Sequence, residues 1–76
     1  MIVEIQTRIG KRWGTPKMLC RRTDPKLKDK LQRFVHSHVR GQIWERDPRT
    51  CYGRMIGWFE PEIVRVNLGS GVTLTR

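Results

Sequence analysis

Apolar and polar residues alternate over residues 2–9: Val3, Ile5, Thr7 and Ile9 fall on one face, and Glu4, Gln6 and Arg8 on the other. This period-two pattern predicts a half-buried strand. Between Asp24 and Gly41 the period lengthens. Projected at about 100° per residue, Leu27, Leu31, Phe34, Val35, His38 and Val39 form one apolar stripe, which predicts an amphipathic helix over residues 24–41. Asp24 is the expected N-cap, Pro25 the first helical residue and Gly41 the left-handed C′ residue that stops the helix. The stripe faces a core, and His38 belongs to it.

Short runs with turn residues between them account for the rest. Residues 10–17, with two glycines and a proline, read as a loop or wide turn, and residues 18–20 as a short return strand. Residues 42–46, 51–59 and 62–68 read as strands, with Asp47-Pro48-Arg49-Thr50 as a turn and Glu60-Pro61 as a corner. Gly69-Ser70-Gly71 predicts a hairpin turn into a last strand over residues 72–75. Gly53 and Gly57, four apart, are expected on one sheet face, where they suggest a bulge or a flat surface on which another backbone packs closely; the simplest arrangement lays the helix across that face. The expected architecture is α+β. A single amphipathic helix packs on a small, mainly antiparallel sheet in the order β-α-β-β-β-β.

A chain of 76 residues makes one small domain over residues 1–76, which buries only about 60% of its unfolded surface. No apolar run approaches a membrane span, so no membrane partner is expected. Residues 1–11 lack the basic start and long apolar centre of a secretory signal, and the chain is expected to be cytoplasmic. Cys20 and Cys51 are too few for a disulfide framework and read as free thiols. Both are expected to be small buried hydrophobes, although Arg21 and Arg22 would favour a reactive thiolate at Cys20.

Charge changes the picture most. The net charge is +9, and residues 8–40 hold eleven basic residues against two acidic ones, whereas the remainder holds five of each. One sign concentrated in one block attracts a polyanion, of which nucleic acid is the commonest. On the projected helix, Lys26, Lys30, Arg33 and Arg40 occupy an arc of about 80°. Arg21 and Arg22 extend that flank at the helix entrance, and Lys11, Arg12 and Lys17 surround Trp13 in the preceding loop. An indole among cations suits a stacked base with neighbouring phosphates; the competing reading folds Trp13 back onto a thin core. A second candidate set is the aromatic surplus Trp44, Tyr52, Trp58 and Phe59, in which Tyr52 and Trp58 share a face as a candidate stacking platform.

Other chemistry fits poorly. His36 and His38 project about 160° apart on a helix and cannot share an ion, and no Cys-x-x-Cys knuckle accompanies them, so no metal site is expected from Cys20, His36, His38 and Cys51. No Walker loop, GxGxxG or converging carboxylate set points to a cofactor or to an enzyme. The RNP aromatic motif, the GxxG loop and zinc-finger spacing are also absent. The expected function is a small, basic, non-enzymatic nucleic-acid-binding protein, for DNA or RNA. Its site residues are Lys11, Arg12, Trp13, Lys17, Arg21, Arg22, Lys26, Lys30, Arg33 and Arg40. The alternative is a regulator that docks on an acidic surface of a larger protein machine.

Overall fold

The computed structural model describes residues 1–69 and Leu74. One helix packs on a six-stranded, antiparallel-paired sheet, and the α+β architecture is that expected. The elements are β1 (Ile2–Ile9), β2 (Arg12–Trp13), β3 (Lys17–Arg21), α1 (Leu27–Ser37), β4 (Gly41–Arg46), β5 (Gly53–Glu60) and β6 (Ile63–Val66). The expected order counted a single strand before the helix, apart from the short return strand read at residues 18–20; the structure has three, since that return strand is β3 and residues 12–13 of the basic loop also pair back onto β1 as β2. Arg12 and Trp13 pair with Ile9 and Arg8, and Lys17, Met18, Cys20 and Arg21 pair with Ile5, Glu4, Val3 and Ile2. The last expected strand, over residues 72–75, lies outside the described residues apart from Leu74.

The sheet runs β2-β1-β4-β5-β6, with β3 continuing the β2 edge of β1. β3 and β4 therefore flank β1 on opposite sides, and α1 is the crossover that carries the chain between them. Its buried residues Leu27, Leu31 and Val35 share one core with Val3, Ile5, Cys20, Ile43, Ile56, Phe59 and Leu68. The rings of Phe34 and Phe59 meet edge-on at 5.7 Å.

The helix is shorter than its apolar stripe. Pro25 lies in a turn ahead of it, and Asp24 caps that turn: its carboxylate accepts the Lys26 N–H at 2.7 Å and the Lys30 ammonium at 2.6 Å. At the other end, the Ser37 hydroxyl donates back to the Arg33 carbonyl and His38 leaves the helix in an extended conformation. His38 is exposed rather than in the core, with its ring stacked on Phe34 at 4.2 Å. Val39, 61% exposed, also leaves the stripe. Gly41 is the first residue of β4, with no positive φ. Pairing of β4 with both β1 and β5 takes residues 41–46 out of reach of the helix, and residues 38–40 must span the gap.

A bulge at Ile56 reverses the parity of β5. Gly53 pairs with Arg46 and Gly57 with Ile43, so the two glycines face opposite ways instead of sharing a face. What crowds Gly57 is the backbone of β6, not the helix: an added Cβ would lie 2.6 Å from the Arg65 carbonyl oxygen. Cys20 is buried as expected, and burial, followed by the nearby Asp24 charge, pushes its thiol pKa up, against a reactive thiolate. Cys51 is exposed in the β4–β5 turn at φ 58° instead of buried.

The Asp24–Lys30 contact makes a pH prediction. Hydrogen bonding to the Lys30 ammonium, then to the Lys26 N–H, lowers the Asp24 pKa below 3.8. A depressed folded pKa gives stability that is present above the unfolded value and lost as pH falls through the folded one. Lys30 is raised above 10.5 by the same bond, so its contribution persists below that value and fades as pH rises through the raised one. Asp24→Asn is expected to flatten the acid limb of stability, read by urea unfolding between about pH 2 and pH 5.

Candidate nucleic-acid interface

The sheet has one covered face and one open one. Val3, Ile5, Ile43, Phe59 and Cys20 point to α1, and their strand neighbours point away from it. On β1 these are Glu4, Gln6 and Arg8, on β4 Gln42, Trp44 and Arg46, and on β5 Met55 and Trp58. Cross-strand pairing places Trp44 beside Glu4 and Met55, Trp58 beside Gln42 and Arg65, and Trp13 beside Arg8. All three tryptophans thus lie on the face away from the helix. Trp44 and Trp58 are half-buried, and Trp13 is 40% exposed.

Two hollows run along this face. One, of about 200 Å³, brings Trp13, Trp58, Met55 and Gln42 together with Arg8 and Arg40. The Arg8 guanidinium sits 5.8 Å over the Trp13 ring, a cation–π contact that holds the indole at the hairpin end. Arg40 is anchored there by its carbonyl, which accepts the Arg8 N–H at 3.2 Å. The other hollow lies beside Trp44, between Pro16, Gly53 and the Glu4–Arg46 ion pair.

The cations expected at the site do not form one surface. Trp13 and Arg40 lie with Arg8 at the β1–β2 hairpin end of the open face, Lys11 sits in the turn of that hairpin, and Arg21 pairs with Ile2 at the opposite end, whereas Arg12 pairs with Ile9 and so points to the helix side of the sheet. Lys17 lies on the exposed β3 edge. Lys26 and Arg33 are exposed at the start and in the last turns of the helical layer, on the other side of the sheet from Trp44 and Trp58. Arg22 and Lys30 are committed internally. Arg22 Nε donates to Glu45 at 3.0 Å and its Nη2 to the Leu68 carbonyl at 2.7 Å, tying β3 to β4 and to the chain beyond β6, while Lys30 holds Asp24.

Sequence reading passed over Glu4, Arg8, Gln42 and Arg46, and placed Trp44 among the aromatics without a face. Alternation on β1 already put Glu4 and Arg8 opposite the core; their neighbours on β4 needed the register. Tyr52 leaves the expected platform: it is exposed in the β4–β5 turn, where its carbonyl accepts the Asp47 N–H. Fold and site together define a two-layer α+β arrangement with a tryptophan-bearing open sheet face that has cations at its two ends. No family model matches the chain, and neither a curated protein nor a solved structure matches it significantly. Among the described residues, no helix is long and apolar enough to cross a membrane, and no cluster of three or more potential ligands could hold a metal ion.

Proposed function

We propose that this protein binds single-stranded nucleic acid across the open sheet face and catalyses no reaction. The observation that carries this reading is the gathering of Trp13, Trp44 and Trp58 on the face away from α1, with Arg8, Arg40 and the hairpin-turn residue Lys11 at one end and Arg21 at the other. Indoles give every base a stacking surface, and the surrounding cations meet the phosphates between them. A duplex hides its base faces and would leave the indoles unused. Lys26 and Arg33 add to the long-range field from the other layer.

Titration of labelled single strands at several salt concentrations tests the reading. Log affinity is expected to fall linearly with log salt, and Lys11→Glu with Arg40→Glu to lower the slope by about 0.7 for each phosphate that is no longer neutralised. Lys26→Glu with Arg33→Glu is expected to leave the slope nearly unchanged. A slope that responds to the helix pair and not to the hairpin pair would move the interface to α1.

A further inference from the structure

The hollow beside Trp44 has a polarity that stacking alone does not require. Its volume of about 330 Å³ falls in the range of roughly 300–1,000 Å³ typical of small-ligand sites. Glu4, only 7% exposed, is the one buried charged residue among those described. A carboxylate is costly to remove from water unless it is paired, and an acidic group is out of place on a face otherwise suited to phosphate. One of its oxygens meets Arg46 Nη2, which leaves further acceptor positions on the carboxylate.

Gln6 lines the same hollow, and its amide is oriented by donation from Nε2 to the Gly14 carbonyl at 2.8 Å. Its oxygen is thereby left as the remaining acceptor. The hollow therefore offers acceptors from Glu4 and Gln6, flanked by the further guanidinium donors of Arg46, against the indole of Trp44.

We propose that this hollow binds one unpaired guanine. Guanine presents an acceptor and two adjacent donors along its pairing edge: O6, N1–H and the 2-amino group. N1–H and the 2-amino group donate to Glu4, O6 accepts from Arg46, and the ring stacks on Trp44. Cytosine and adenine each set one donor beside an acceptor, and thymine and uracil hold their single donor between two carbonyls, which a carboxylate repels. The inference rests on reading the sheet face as a nucleic-acid surface, so its test must be able to fail separately.

The probes are thymidine oligonucleotides of about twelve residues, within the span of known single-strand sites, carrying thymine, guanine or inosine at the centre. Binding is read by quenching of tryptophan fluorescence. The guanine oligonucleotide is expected to bind at least about tenfold more tightly than the all-thymine one, as a good bidentate base contact does. Inosine, which lacks the 2-amino group, is expected to lose most of that gain. Glu4→Gln is expected to erase the preference and leave the salt slope intact. If that variant does not fold, the inosine comparison on the unaltered protein reads the same contact. Equal affinity for guanine and thymine oligonucleotides overturns the guanine pocket and leaves single-strand binding standing; no salt-dependent binding to any of the three overturns both.

Discussion

Replacing Gly41 by alanine is expected to destabilise the domain by about 3 kcal/mol, at the upper end of what overpacking a tight site costs. The cause is position. An added Cβ would lie 2.7 Å from two ring atoms of Phe59 and 2.9 Å from the Gln6 carbonyl oxygen. Phe59 is 1% exposed, and its ring is held from the other side by Phe34. β4 is paired on both edges, so neither β1 nor β5 can draw back without breaking a ladder. A domain of this size has roughly 4–11 kcal/mol to lose, on the usual per-residue stability. Gly57→Ala meets backbone just as close, but on the edge strand β6, which can detach; its expected signature is early exchange of the β6 amides ahead of global unfolding. Gly41→Asn separates the two meanings of this glycine. A left-handed helix stop tolerates asparagine, whereas a strand position pressed against Phe59 rejects it more strongly than alanine. Denaturant unfolding of the two Gly41 variants distinguishes them.

That test marks where the sequence was informative. The alternation in β1 and the positions of Leu27, Leu31 and Val35 were legible because each is a local period, and the same residues form the core. The helix end was not. His38 and Val39 continue the 3.6-residue pattern, but the pairing of β4 with two distant strands decides where the helix must stop. Parity in β5 failed for a similar reason: one extra residue at Ile56 reverses every face beyond it, and the strand-interior glycines Gly53 and Gly57 signal a bulge without fixing its position. Charge was legible as a block and illegible as a surface. Arg22 and Lys30 look like their neighbours in sequence, yet Glu45 and Asp24 retain them as internal partners. The candidate site moved accordingly, from one flank of the helix to the opposite face of the sheet. The indoles that define it come from β2, β4 and β5, and only the register brings them together.

Trp44→Ala combined with Trp58→Ala is expected to weaken single-strand binding by about 30-fold to 10⁴-fold, since each stacked base contributes roughly 1–3 kcal/mol. The two indoles line separate hollows, so their effects should be close to additive. Both lie on the open face and outside the core shared by α1 and the sheet, so the fold is expected to survive, with a melting transition that keeps its cooperativity. Trp44→Phe with Trp58→Phe keeps a flat ring in each hollow and is expected to restore much of the affinity, which a purely structural role would not require. On the proposed reading the salt slope should be unchanged in both double variants, because phosphates would be met by Arg8, Lys11 and Arg40 and not by indoles. Stacking and charge then appear as separable contributions, one read in the intercept of the salt plot and the other in its slope. If the face instead docks an acidic protein, the alanine pair still removes anchoring rings. Single strands, however, would bind the variant and the original protein alike, and partners captured from a lysate would survive nuclease treatment. Loss of oligonucleotide affinity at constant slope is the outcome that only a base-stacking face produces.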